Sequence, residues 1–363
     1  MGKSMMGRMD KVVLLAEVLI ALLGIVILYS ATWVPASGGG LNAMVIKQGV
    51  WVLIGLILML AIANIDYIRI THYIYPVYIL NLVVLAFLLF FGGERYGARR
   101  WITLGPFSLQ PSEFMKITVI LALAAFLEEQ RDKIGSFRTF AGAFLLIIPA
   151  AFLIFLQPDL GTSFVLVPIV FSVLFVCGGN IKYIVSSIVL GLLSMPFFWL
   201  CLKEYQRNRL MVFMNPNLDP LGAGYTIIQS KIAIGSGGIF GKGWLAGTQS
   251  YLKFLPERHT DFIFSVIGEE WGLAGAVVLV GLYALLIARG IKIMSGSGDI
   301  CGKAIACGVV TLIAFQVFVN ISMTIGLMPV VGLPLPAISY GGSNTVASLV
   351  CAGFLLSVSR RAN

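Results

Sequence analysis

Charge is scarce in this chain. Only 11% of its 363 residues are Asp, Glu, Lys or Arg, against 59% apolar, whereas a soluble domain carries roughly 25% charged residues. The polar shell of a water-soluble fold cannot be assembled from this composition, so part of the solvent is lipid. Histidine is scarcer still, and the two present, His72 and His259, support no Ser-His-Asp or Cys-His arrangement. The five cysteines, Cys177, Cys201, Cys301, Cys307 and Cys351, fall within or at the ends of apolar runs and lack paired metal-ligand spacing. They read as small packing residues, and no metal cluster is visible. Repeats, low-complexity tracts and a soluble domain are absent too, which leaves residues 1–363 as a single integral membrane domain.

What the chain does have is long apolar runs. A bilayer core needs about 20 mostly apolar residues per helical span, and such runs cover 12–32, 44–65, 70–91, 113–128, 139–156, 162–178, 181–201, 262–289, 302–326 and 342–359. The fourth to sixth are short. A β-barrel would need strands of roughly ten residues with apolar/polar alternation, but Asn81 to Phe90 is apolar all round after its first residue. The expected fold is therefore an all-α polytopic bundle of about ten transmembrane helices. The first run follows Lys3, Arg8 and Lys11 but is too long for a signal peptide and lacks a small-residue cleavage site. It reads as a retained helix.

A net charge of +9 would suit a nucleic-acid partner, but in a polytopic chain it follows from the positive-inside rule. With the N-terminus in the cytoplasm, the inner segments hold 13 Lys and Arg and the short outer loops hold 4, namely Lys47, Arg95, Arg99 and Arg100. Both termini are then cytoplasmic, and no nucleic-acid partner is expected.

The segment 202–260, ahead of the eighth span, is outside by the same count, and loops of that length without a function are uncommon. Within it, Ile227, Ile228, Lys231 and Ile232 are spaced for a short interfacial helix. The run Gly235 to Gly243 resembles a phosphate loop only superficially, because Gly243 stands where Ser or Thr is required. It reads as a close-packed turn against the bilayer surface. Ahead of the tenth span, Pro329 to Ser343 is apolar yet interrupted by three prolines and several glycines. Irregular backbone at membrane depth is tolerated only where protein or a water-filled cavity covers it, so a broken or re-entrant segment capping a cavity is expected.

Ionisable residues in or beside membrane spans are costly and are functional candidates by default. Here they gather on the outer side: Arg99, Arg100, Glu113, Lys116, Asp159, Arg207, Arg209 and Asp261. Glu113 and Lys116, three apart at a helix start, can form a purely structural salt bridge. Arg99 and Arg100 run against the charge rule, which suits an anionic ligand or interfacial snorkelling. Asp261 begins the eighth span, where a helix cap is the common role. The helix dipole would lower its pKa while desolvation beside Phe262 and Phe264 would raise it. His259 could hydrogen-bond a substrate or simply be solvated.

These residues carry a family resemblance. Gly97-Ala98-Arg99-Arg100-Trp101-Ile102, Gln110-Pro111-Ser112-Glu113, Gln157-Pro158-Asp159-Leu160-Gly161-Thr162, Asp219 to Tyr225, Gln229 to Gly238, Leu255 to Phe264 and Pro334 to Gly342 occur in order over residues 97–344. They resemble the SEDS family (shape, elongation, division and sporulation proteins). Arg258 and the short N-terminal tail resemble its elongation branch more than its division branch. The resemblance implies a peptidoglycan glycosyltransferase of the bacterial cytoplasmic membrane that polymerises lipid II on the outer face for cell elongation. It also implies a class B penicillin-binding protein as transpeptidase partner, alongside other elongation-complex membrane proteins.

By the same resemblance Asp261 is the essential aspartate, and Arg100, Glu113, Lys116, Asp159 and Arg209 line the cavity. His259, two residues from Asp261, is a candidate substrate contact by position. Asn215 and Lys253 stand where relatives often carry an acid, so neither is the base. Asp261 would take the proton of the acceptor sugar's 4-hydroxyl, and Arg100, Lys116 and Arg209 would neutralise the departing diphosphate. Glu113 would orient Lys116, and Asp159 would hold a hydroxyl or a cation. No cofactor is assigned, although a divalent cation such as Mg or Mn could share the diphosphate. The rival reading from another class is a lipid II flippase, which needs polar access from both faces. A third is a scaffold that only positions the synthase.

Overall fold

The computed structural model describes residues 9–362, apart from 34–41, 96–97, 105–106, 203, 221 and 253. All ten apolar runs are helical. In chain order the helices are α1 (Lys11–Thr32), α2 (Ala43–Asn64), a short α3 (Tyr67–His72), α4 (Ile74–Phe91), α5 (Pro111–Glu129), α6 (Phe137–Leu156), α7 (Leu160–Val176) and α8 (Ile181–Cys201). The long segment that follows holds α9 (Glu204–Met214), α10 (Ala223–Gly237) and α11 (Thr248–Tyr251). The chain ends with α12 (Ile263–Glu270), α13 (Gly272–Gly296), α14 (Ile300–Thr324) and α15 (Gly342–Ala362). Seven of these are long and apolar enough to cross a membrane, and α7 and the first part of α8 are shorter apolar helices.

Local chemistry fixes the helix starts. Asp10, Asn42, Asp66, Ser136, Asp159 and Asp299 are N-caps whose side chains accept from backbone N–H groups one turn on, meeting donors that have no partner inside the helix. Pro111 opens α5 at its first turn, where a missing N–H costs nothing.

Two differences from the apolar pattern stand out. The eighth span is broken, because Gly272 adopts φ +64 between α12 and α13, with its backbone against Gly241 and Ile239. The connection after α4 is a three-stranded antiparallel meander, β1 (Gly93–Arg95), β2 (Ala98–Leu104) and β3 (Phe107–Leu109). In the backbone register Ile102 lies opposite Leu109 and Thr103 opposite Ser108 across β2 and β3, and the Ile102–Leu109 pair is of the kind that stabilises a sheet.

α5, α14 and α15 form the buried centre, whereas α2, α4, α6, α8 and α13 turn large apolar side chains outward, as lipid-facing helices do. Small residues let backbones meet: a Cβ on Gly24 would lie 2.8 Å from the Cα of Ile338. Gly24 is eight residues, about 12 Å of helix, from the Thr32 end of α1. The irregular segment 329–341 therefore dips into the bundle, the re-entrant arrangement that its prolines and glycines predict.

The glycine-rich run is a close-packed turn, but against protein. Lys242 N and Gly243 N donate to the carbonyls of Glu269 and Glu270, and Leu273 N and Ala274 N donate to those of Gly238 and Ile239. A Cβ on Gly237 would fall 1.9 Å from the Gly268 carbonyl oxygen, so only glycine fits there.

Candidate active site

Asp261 lies in a tight turn that begins at Glu257, which takes φ +49 and whose carbonyl accepts from Thr260 N and Phe262 N. Thr260 Oγ1 donates to Glu257 Oε2 at 3.0 Å. The cap position of α12 is Phe262, one residue beyond Asp261. The carboxylate borders the re-entrant segment: Asp261 Oδ2 would be 3.5 Å from a Cβ placed on Gly332.

Three consecutive carbonyls of this turn are held from outside it. That of His259 accepts from Tyr340 N at 2.8 Å, that of Thr260 from Ser339 Oγ at 2.7 Å, and that of Asp261 from Asn320 Nδ2 at 2.9 Å. Asn320, fully buried on α14, also donates to the Leu333 carbonyl at 2.7 Å. On the re-entrant side, Ser339 Oγ accepts from Leu335 N, Asn344 Nδ2 donates to Leu335 O, and Tyr283 on α13 donates to Pro336 O.

The other flank is built on Asp159. Its Oδ1 accepts from Thr162 N to cap α7, while Oδ2 accepts from Gln110 Nε2 at 3.0 Å and lies 3.4 Å from Arg100 Nη1. Gln110 N donates to Ser343 Oγ, which fastens the start of α5 to the start of α15. A Cβ on Gly161 would be 2.7 Å from the Val331 carbonyl oxygen. Val331, Gly332 and Leu333 thus separate the Arg100–Asp159 pair from Asp261, so the two sequence-predicted groups border one tripeptide. Arg100 Nε is buried and has no partner among the described residues, a cationic donor left over for an anion.

Glu113 and Lys116 are deeper. Lys116 Nζ lies 2.8 Å from Glu113 Oε2, and the side chains are 2% and 4% exposed, so solvent does not reach the pair. His259 stacks at a tilt on Tyr340, ring centres 5.9 Å apart. Burial pushes its pKa below the usual histidine value, against a smaller upward pull from Glu257, with Arg258 adding to the depression. Arg258 Nε donates to the Ala31 carbonyl on α1. Arg209 is in α9, but its side chain, that of Arg99 and all of Lys253 lie outside the described residues.

Charge-based inventory missed Asn320, Ser339 and Gln110. The signal for Asn320 was a lone amide in the apolar run Phe318-Val319-Asn320-Ile321. It also missed the buried Glu269, which accepts from Lys242 Nζ at 2.8 Å and from Gln249 N at 3.0 Å, and Glu270, which accepts from Ser30 Oγ. These two carboxylates fasten the 242–249 loop and α1 to the end of α12. Among the described residues no three of His, Cys, Asp and Glu group so as to hold a metal ion. Mg²⁺ commonly rests on one or two carboxylates plus substrate phosphates, so a divalent cation here would depend on the diphosphate for its ligands.

The model of the FtsW, RodA and SpoVE family, described as a cell cycle protein, matches residues 10–363. The chain belongs to that family. The FtsW/RodA/SpoVE relatives include the peptidoglycan glycosyltransferase MrdB of Escherichia coli K12, 43% identical over 96% of this chain and 94% of its own length. Peptidoglycan glycosyltransferase RodA of Treponema pallidum is 34% identical over 97% of this chain and 98% of its own length. Among solved structures, a chain from a study of how a peptidoglycan synthase complex coordinates polymerization and crosslinking matches with a TM-score of 0.82. It is 37% identical, with 98% of each chain covered. The rod shape determining protein RodA of Thermus thermophilus matches with a TM-score of 0.71 and 32% identity, with 97% of each chain covered.

Proposed function

We propose that this multi-pass membrane protein is a peptidoglycan glycosyltransferase that polymerises lipid II, with Asp261 as the general base. The observation that carries the assignment is the turn at Asp261, held through three successive carbonyls with the Arg100–Asp159 pair on the far side of Gly332. A carboxylate on a fixed backbone beside an irregular segment, with a partly unpartnered guanidinium bordering the same segment, suits sugar transfer from a lipid diphosphate.

In this reading the acceptor's 4-hydroxyl oxygen attacks the anomeric carbon of the lipid-linked strand from the face opposite the diphosphate. The new C–O bond forms as the bond to the diphosphate oxygen breaks, with inversion, and the hydroxyl proton passes to Asp261. General-base assistance of this kind contributes about 10²–10⁴-fold. Charge grows on the departing diphosphate in a poorly solvated place, where preorganised cations count most. Arg100 is the first candidate and Arg209 the second. Lys116, closed against Glu113, would reach the diphosphate only if the surrounding helices part, so its contribution is to hold the start of α5.

The whole chain is read as one integral domain of the bacterial cytoplasmic membrane, both termini cytoplasmic and the site outside, with α10 near the outer interface. The count of 13 basic residues against 4 supports this orientation. A class B penicillin-binding protein is the partner this reading supplies for crosslinking. The relative named MrdB, at 43% identity, supports the elongation role over the division role of FtsW relatives at 37%.

The test gives purified protein, with its partner, lipid II in detergent and compares it with Asp261→Asn. Glycan chains are expected from the parent alone. Chains from the variant at the parental rate remove the base assignment, and no chains from either alongside lipid II translocation in vesicles would favour a flippase.

A further inference from the structure

Asn320 joins both the Asp261 turn and the re-entrant segment to α14. Its Nδ2 donates both to Asp261 O and to Leu333 O, at 2.9 and 2.7 Å. Because both partners are carbonyl oxygens, only the NH₂ end of the amide can face them. Oδ1 is buried and has no partner among the described residues, so both recorded bonds of the side chain run through one nitrogen. Gly332 directly precedes Leu333, and a Cβ on it would lie 3.5 Å from Asp261 Oδ2. Asn320 therefore sets the gap into which the carboxylate projects, and it does so from α14, a helix buried along most of its length.

We propose that Asn320 is a positioning residue for glycosyl transfer, fixing the carboxylate of Asp261 relative to the re-entrant segment without touching the substrate. The inference rests on Asp261 being the base. A reacting group displaced by about 1 Å can lose about 10²-fold in rate, and this amide tethers the Asp261 carbonyl to α14. Ser339 and Tyr340 hold the neighbouring carbonyls, but they belong to the re-entrant segment and move with it. Asn320 holds both to one point on the buried α14.

The experiment measures lipid II polymerisation by the purified protein with its partner, for the parent, Asn320→Asp, Asn320→Ser and Asp261→Asn, across pH. Aspartate keeps the shape but turns acceptors toward two carbonyls, whereas serine keeps one donor. Asn320→Asp is expected to lower kcat at least 10-fold with KM for lipid II within 2-fold, and to move the limb of the pH–rate profile that reports the base. Asn320→Ser should fall between it and the parent. A folded Asn320→Asp with parental kcat and pH profile overturns the proposal, as does a loss confined to KM or to the folded fraction. Should Asn320→Asp fail to fold, parental kcat and pH profile in Asn320→Ser overturn it equally. An Asp261→Asn enzyme at the parental rate sinks the base reading instead, whatever Asn320 does.

Discussion

Lys116 Nζ lies 2.8 Å from Glu113 Oε2, three residues away on the same helix, and both side chains are closed off from solvent. Removing one partner of a buried pair leaves an uncompensated charge and costs about 3–5 kcal/mol, whereas replacing both is often nearly neutral. Lys116→Met and Glu113→Gln are each expected to lose stability on that scale in thermal unfolding. The double variant should recover most of it. Its polymerisation rate then separates two roles: recovery of activity along with stability means the pair only holds α5, and stability without activity means Lys116 meets the diphosphate.

Asp159 does two jobs with two oxygens, capping α7 through Oδ1 and facing Gln110 and Arg100 through Oδ2. Asparagine caps a helix about as well as aspartate, while alanine costs about 0.5–2 kcal/mol. Asp159→Asn should melt close to the parent yet raise KM for lipid II several-fold, because Arg100 loses the charge that aims it. Asp159→Ala should lose in both measurements. An Asp159→Asn enzyme with parental KM would mean that Arg100 is aimed by something else.

The membrane fold was legible because the bilayer imposes a length on every apolar run, and all ten runs became helices. A break inside an apolar run is harder to see: 262–289 reads as one span although Glu269, Glu270 and Gly272 interrupt it, and the backbone of Gly241 and Ile239 against Gly272 shows why it divides there. The meander at 93–109 carries no clear apolar/polar alternation, since Arg99 and Arg100 are adjacent, as are Trp101 and Ile102. Asp261 was legible by charge, but its surroundings were not. Tyr340 N bonds a carbonyl 81 residues away in sequence, a relation that no local pattern encodes, and Asn320 carries no charge to draw notice.

His259 gives the site end of the molecule a pH dependence. Its folded pKa lies below the ordinary value of 6.5, chiefly through burial, so between the two values the unfolded chain binds more protons than the folded one. Stability then rises with pH through that window: it falls as pH drops from about 6.5 to the folded pKa and is flat above 6.5. Thermal unfolding of the parent from pH 7.5 to 5 should show that slope. His259→Gln should flatten it, and an unchanged slope would place the titration elsewhere.

Gly332 has a backbone that disfavours any side chain, at φ +73, and a position that looks directly at Asp261 Oδ2. A left-handed conformation costs a non-glycine residue about 1–2 kcal/mol, which a bundle of this size can absorb. The methyl of Gly332→Ala would stand 3.5 Å from the carboxylate oxygen, in ordinary contact and in the space that an acceptor hydroxyl must enter. Gly332→Ala is therefore expected to fold, to retain partner binding, and to polymerise lipid II at least 10-fold more slowly. The informative comparison is Gly298→Ala, at a site where a Cβ meets open space far along the chain from Asp261. Equal rates for the two variants would mean that the acceptor does not approach Asp261 past Gly332.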